Sequence, residues 1–352
     1  MKTISGKLLP LLFFALLFIS CATPAKNTVL TYRESEIVST PHSINREQWG
    51  ASVKTIPLQD TGGELIADVI KTILDSNYIF ILTTDSKVMK FSPEGKYLQR
   101  IGQQGNGPGE YNYLSDIFID PGSKRIYLSD LMGKILEYDY DGNFLQPYKQ
   151  AQGMRTFYYA PPVLLEATQV VMGNEPAGLV VRQLGGDTLA LYPNYLKFKY
   201  TPKASVTAYQ EYKALFKGER EVIFHQMSTD TVFTVDISGN KLIPRCCFHF
   251  ENGIQKADIE RFADIAGQIT LLYDYAEDSR YRYVTFMTPG QQKQLYLLAK
   301  NEPEIYRSEI LLPDSDKPFY PKWQQGNILI DFYTKGADEK PYLVLFEEQR
   351  DK

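Results

Sequence analysis

A repeat of 47 residues constrains the fold of this chain more than any other feature. Moving Tyr78-Ile79-Phe80-Ile81-Leu82 forward by 47 lays Ile79 on Ile126 and Phe80 on Tyr127. The same offset lays Val88 on Ile135, Phe91 on Tyr138, Tyr97 on Phe144 and Leu98 on Leu145. It also superposes the turn Glu94-Gly95 on Asp141-Gly142. One shift aligns two strand-like runs, a turn and a third run without a gap. A further run precedes each unit, at Val69–Leu74 and Ile117–Asp120. Four short strands per unit, with glycine turns between them and a period in the forties, predict a propeller blade.

The later chain repeats the pattern less sharply. Thr231–Val235 followed by Ser238-Gly239 restates the third strand and turn, and Gly95 to Gly239 spans about three periods. Asn327–Asp331 resembles the second strand, and Tyr342–Phe346 the one after it. Gly178–Val181 with Thr188–Tyr192, and Gln294–Leu298 with Glu304–Leu312, fill the gaps as strand pairs. Chain length over period, less the leader, a linker and insertions, leaves six units. The expected fold is therefore all-β, a six-bladed β-propeller of four-stranded antiparallel blades with short helical insertions. Those insertions are expected at Ser205–Lys217 and Asp258–Leu272, where apolar residues fall at helical spacing. The aromatic content, 13% with 25 Tyr and 19 Phe, falls on repeat positions and predicts packing between blades.

Residues 1–20 read as a leader. Lys2 and Lys7 precede an apolar run, Leu8–Ile19, too short to cross a membrane as a helix. The run ends Ile19-Ser20-Cys21-Ala22, which resembles the lipobox of bacterial lipoproteins. That resemblance implies cleavage before Cys21 and acylation of Cys21, and several acyl chains anchor stably where one does not. Two Lys and no acids leave with the leader, so the net charge moves from −4 to −6. The expected division is a signal peptide at 1–20, a tether at 21–45 and the propeller at 46–352. No acidic residue falls in Ala22–Asn27. In Bacteroidota-type lipoproteins this implies an outer-membrane protein facing the periplasm.

At Ile101-Gly102-Gln103-Gln104-Gly105-Asn106-Gly107-Pro108-Gly109-Glu110-Tyr111 and the strands that follow, to Leu145, the sequence looks like an NHL-type blade. With the lipobox it is similar to the six-bladed propeller lipoproteins of Bacteroidota. The resemblance is specific over about residues 68–146 and softer at Asp230–Phe250. It implies a fold and an envelope location but no activity. Gly102, Gly105, Gly107 and Gly109 lack the Lys-Ser/Thr of a P-loop. They are expected to carry the chain between blades, with Glu110 accepting backbone amides.

The chemistry-bearing residues are sparse. His42, His225 and His249 lie far apart. The adjacent Cys246 and Cys247 are expected as two packed thiols, with a vicinal disulfide as the alternative. Asp116, Asp120, Asp130 and Asp331, near blade ends, are candidates to line the central channel. Lactonase-type propellers hold a divalent cation with such groups, and the simpler reading is turn capping. No metal-ligand spacing or basic excess occurs, so neither a cofactor nor a nucleic-acid partner is expected. The expected function is an envelope lipoprotein whose propeller binds a protein, peptide or glycan without catalysis. The alternative is a metal-dependent hydrolase or lyase acting in the channel.

Overall fold

A computed structural model describes residues 29–59, 66, 68–151, 154–168, 175–194, 213–226, 229–253, 266–290, 292–336 and 339–348. The N-terminal stretch forms β1 (Leu30–Arg33), α1 (Glu34–Val38), β2 (Ser43–Ile44), α2 (Arg46–Trp49) and β3 (Ala51–Pro57). Sets of strands follow in order. The first is β4 (Val69–Leu74), β5 (Ile79–Thr83), β6 (Val88–Phe91) and β7 (Tyr97–Arg100). The second is β8 (Leu114–Asp120), β9 (Arg125–Asp130), β10 (Lys134–Asp139) and β11 (Phe144–Lys149). The third is β12 (Met154–Ala160), β13 (Val163–Thr168), β14 (Ala177–Gln183) and β15 (Thr188–Pro193). Then come β16 (Leu215–Lys217), β17 (Val222–His225), β18 (Thr231–Asp236) and β19 (Lys241–His249). They are followed by β20 (Leu271–Glu277), β21 (Tyr281–Thr288), β22 (Gln292–Ala299) and β23 (Ile305–Ser308), and by β24 (Trp323–Gln325), β25 (Ile328–Lys335) and β26 (Lys340–Glu348). The chain is an all-β propeller with antiparallel four-stranded blades.

The 47-residue offset holds in three dimensions. A register shift falls between Lys90 and Phe91 in β6 and between Glu137 and Tyr138 in β10. Phe91 meets Tyr97 edge-on at 5.7 Å and 68°, and Tyr138 meets Phe144 at 5.6 Å and 65°. Gly95 and Gly142 take φ of 86° and 85°, a left-handed conformation that a side chain resists. At the third copy of this turn the left-handed residue is Asn240, not Gly239.

The expected count of six blades is not met, since four separate blades are seen. Four sheets stand alone as blades: β4–β7, β8–β11, β12–β15, and β20–β23 extended by β2. The other nine strands form one sheet, ordered β1-β19-β18-β17-β16-β24-β25-β26-β3. It is continuous because β16 and β24 meet in parallel at a single pair, Lys217 with Gln325. The Gly326 amide also donates to the Lys217 carbonyl at 3.0 Å.

The stretch expected as a tether, 21–45, also needs correction over its described part. Strand β1 runs parallel to β19, β2 parallel to β23, and β3 antiparallel to β26. Ile37, Ile44 and Trp49 are buried. An Asn45–Gln48 capping box starts α2 and a left-handed Gly50 ends it, which turns Trp49 inward. Its indole donates to the Tyr283 hydroxyl at 2.9 Å and stacks on Phe319.

The expected helical insertions lie mostly outside the described residues. Their described ends are strands, β16 and the start of β20, with a 3-10 turn at Ala266–Gln268. The apolar residues there, Leu215-Phe216 and Leu271-Leu272, are buried in cores between sheets rather than along one helix face. Cys246 is buried and Cys247 half-buried, both as free thiols, so only one of the two is a core residue. Burial pushes the Cys246 thiol up to about 12.

Candidate functional site

The first strand of most units carries a β-bulge, which re-aims side chains. Register shifts fall between Val69 and Lys71, Leu114 and Asp116, Met154 and Thr156, and Leu272 and Asp274. The first strands β4, β8, β12, β16 and β24 pack against one another in that order, and β24 returns to β4. Their inward residues enclose two chambers, of about 290 Å³ and about 240 Å³. Both chambers are lined by Lys71, Lys213, Leu215 and Trp323. They are two halves of one central channel with a shared waist. Strand β20 supplies no residue to either half.

The waist is built from ion pairs. The Lys71 ammonium lies 2.7 Å from Asp116, whose carboxylate also accepts the Phe157 amide at 2.7 Å and the Ile117 amide at 2.8 Å. Burial pushes the Asp116 carboxyl up, and Lys71 opposes it. Lys213 donates to the Pro321 carbonyl at 2.8 Å and lies 3.4 Å from Asp274. Burial raises Asp274 to about 6, against the pull of Lys213. The Trp323 indole donates to the Ile70 carbonyl at 2.9 Å and fixes β24 against β4. Next to it, Gln325 accepts the Leu74 amide at 2.9 Å, and Gln324 accepts the Glu277 amide at 3.0 Å.

The chambers differ in chemistry. The first lies where the first strands begin and takes Thr84, Ser86, Tyr113, Arg155 and Thr156. The second lies where they end and takes Ile73, Phe118, Phe157, Tyr158, Tyr159 and Phe216. Phe118 stacks on Phe157 at 5.8 Å, which makes that wall a continuous aromatic surface.

Of the four candidate aspartates, only Asp116 lines the channel. Asp120 caps the turn after β8, accepting the Gly122 amide at 3.1 Å. Asp130 is buried and accepts the Asn112 and Met132 amides at 3.1 and 2.8 Å. Asp331 is buried, accepts the Tyr320 and Phe332 amides and pairs with Lys322 at 3.1 Å. Among the described residues no group of three or more His, Cys, Asp or Glu is placed to hold a metal. His42 and His249 are exposed and His225 is buried.

The glycine loop joins β7 to β8. Glu110 accepts the Gly107 amide at 2.7 Å and the Gln103 side chain at 2.6 Å. A Cβ on Gly102 would meet the Tyr138 ring, and one on Gly109 the Phe144 ring. Gly105 and Gly107 pack on the Glu110 carboxylate. Cys21 lies outside the described residues, and no described helix is long and apolar enough to cross a membrane.

Sequence reading reached Asp116 but missed Lys71, Arg155, Lys213 and Trp323. Lys71 had a signal. It precedes Asp116 by 45 residues, the bulge-to-bulge spacing of the first strands, which differs by two from the 47 of the strands that follow.

Two solved structures share this architecture. A protein of Bacteroides fragilis described as exported aligns with a TM-score of 0.70 at 18% identity, covering 92% of this chain and 100% of that one. A member of the DUF4221 family from Bacteroides vulgatus aligns at 0.54 and 10% identity, covering 84% and 96%. At these identities the likeness is one of fold. No curated protein matches the sequence. The model of a domain of unknown function, DUF4934, matches residues 31–345, nearly the whole described structure from β1 to β26. The chain is a member of the DUF4934 family.

Proposed function

We propose that this protein is a lipid-anchored propeller of the cell envelope that binds a protein, peptide or glycan at its central channel, without catalysis. The observation that carries this reading is how the channel's charges are used. Asp116 is committed to Lys71 and two amides, and Asp274 to Lys213. These groups hold the wall of a preformed cavity whose two chambers differ in polarity, the usual form of a recognition site.

The envelope assignment draws on the leader ending at Cys21. With the first strand at Leu30, the intervening chain reaches at most about 30 Å, so the propeller edge sits close to the bilayer. The absence of acids in Ala22–Asn27 favours the periplasmic side of the outer membrane. A six-unit ring is part of the proposal. The nine-stranded sheet divides at the Lys217–Gln325 pair into a five-strand and a four-strand unit. Apolar cores lie between successive units, and one between β24–β26 and β5–β6 closes the circle.

Capture from envelope extracts tests the reading. The mature chain is expected to retain a partner in stoichiometric amount, and Thr84→Trp, which fills the mouth of the first chamber, to lose it. Equal capture by both proteins would overturn the channel assignment. Turnover of a substrate without a retained ligand would overturn the binding reading. Palmitate labelling that is lost in Cys21→Ser is expected for the anchor.

A further inference from the structure

We propose that the first chamber is an anion site, built around Arg155, that receives a carboxylate side chain of a partner polypeptide. The inference rests on the binding reading of the channel and gives its ligand a chemistry.

Arg155 is the extra residue of the β12 bulge, between Met154 paired to Thr168 and Thr156 paired to Ala167. It lines the chamber and is half-buried. Among the described residues its guanidinium makes no hydrogen bond and no ion pair. Two other buried or half-buried arginines are spent: Arg182 on Glu166 at 2.7 Å, and Arg245 on Glu277 at 2.5 Å. The charge of Glu175 acts on Arg155 through space without forming an ion pair. The cations shared by both chambers are matched, Lys71 by Asp116 and Lys213 by Asp274, and Lys217 of the second chamber donates to the Arg220 carbonyl at 2.8 Å. The Arg155 guanidinium nitrogens are not buried, so they open on the chamber and are accessible to a ligand. A carboxylate satisfies the guanidinium with two parallel bonds.

Hydroxyls support the same site. The Thr156 Oγ1 is buried without a hydrogen-bond partner. The Ser86 Oγ accepts the Leu114 amide at 3.0 Å and keeps its own proton to donate.

The rim selects the partner. Tyr113 is 64% exposed, Leu131 42% and Met132 70%. Tyr113 and Leu131 line the chamber, and the Leu131 amide donates to the Tyr113 carbonyl at 2.8 Å, so these two residues sit side by side at its mouth, with Met132 next along the chain. Leu131 and the neighbouring Met132 pack well against apolar side chains and the exposed Tyr113 ring against aromatic ones, whereas a sugar would find a stacking face on Tyr113 alone. A cavity of about 290 Å³ admits one side chain with its backbone, and the apolar lip covers its neighbours.

The test uses the immobilised mature chain and three probes. The first is a pool of capped pentapeptides with Glu at the centre and Leu, Met, Phe or Tyr at the four flanks. The second is the same pool with central Gln, and the third is tetragalacturonate. At least ten-fold greater retention of the Glu pool over the Gln pool is expected. The preference should vanish in Arg155→Gln, return in part in Arg155→Lys, and weaken in Thr156→Val. Thermal midpoints of the three variants check that each is folded. Equal retention of the two pools, retention of neither, a preference that survives in folded Arg155→Gln, or stronger retention of tetragalacturonate would each overturn the inference. The broader binding reading is judged separately by envelope capture with Thr84→Trp, so the two can fail independently.

Discussion

The units at 69–100, 114–149 and 154–193 end on outer strands, β7, β11 and β15, that pair with nothing further among the described residues. The strand sets at 215–249 and 323–348, which share one sheet, and the blade at 271–308 each take one more strand from residues 30–57. The first group is completed by its own local sequence. The second is completed by a segment more than 200 residues away in the chain. The difference teaches where the two groups store their stability. In the first it sits in hairpins and in bulge-directed ion pairs at the channel. In the second a large share sits in one clasp, pinned by Trp49 between Tyr283, Phe319 and Phe346.

The largest expected effect breaks that clasp. Trp49→Ala removes a fully buried indole and its hydrogen bond to the Tyr283 hydroxyl, which keeps its own bond to Asp278, at a cost of about 3–5 kcal/mol. Urea unfolding should show the loss, and hydrogen exchange should show it concentrated in β20–β26. Uniform loss across both groups would merge them. Next comes Asp116→Ala in the first group. It leaves the Lys71 ammonium facing the channel without its partner and costs about 3 kcal/mol. Lys71→Met combined with Asp116→Ala should recover much of it.

His225 gives a pH signature confined to the second group. Burial holds its imidazole at about 4, below the ordinary 6.5. The unfolded chain therefore binds more protons than the folded one between pH 6.5 and 4, and stability falls as the pH falls through that window. Relative to His225→Asn, wild type should lose about 2 kcal/mol between pH 7.5 and pH 5. A parallel pH profile for the two proteins would contradict the assignment.

The smallest contrast sits at two equivalent turns. Gly95 and Gly142 share one conformation, so alanine costs about 1 kcal/mol of backbone strain at each. At Gly95 the new Cβ would also collide with the Pro57 carbonyl, at the end of β3, whereas at Gly142 its nearest neighbour is 3.6 Å away. Gly95→Ala should thus lower the melting temperature clearly more than Gly142→Ala. Equal shifts would mean that β3 yields at that contact.

This asymmetry also explains what was legible in the sequence. The blades at 69–149 were readable because each closes on itself, with Phe91 and Tyr97 in one copy answered by Tyr138 and Phe144 in the next. The clasp was not, because Leu30–Arg33 and Ser43–Ile44 are short, and their partners are set by ring closure rather than by local pattern. The merged sheet was hidden for a similar reason: one residue pair, Lys217 with Gln325, carries no sequence period. At the site, Asp116 was visible as an acid beside a strand. Arg155 was not, since only the bulge in β12 turns it toward the channel.

The most direct test of the central claim, that the ligand enters the channel, is photocrosslinking in the intact envelope. A photoreactive phenylalanine analogue in place of Tyr113, an aromatic residue that already lines the channel mouth, reports that mouth, and the same residue at Leu98, 43% exposed on the bare β7 edge, reports the outer rim. Discrete adducts from position 113 and none from position 98 are predicted. Adducts from position 98 alone would place the binding surface on the open blade edges and contradict the account.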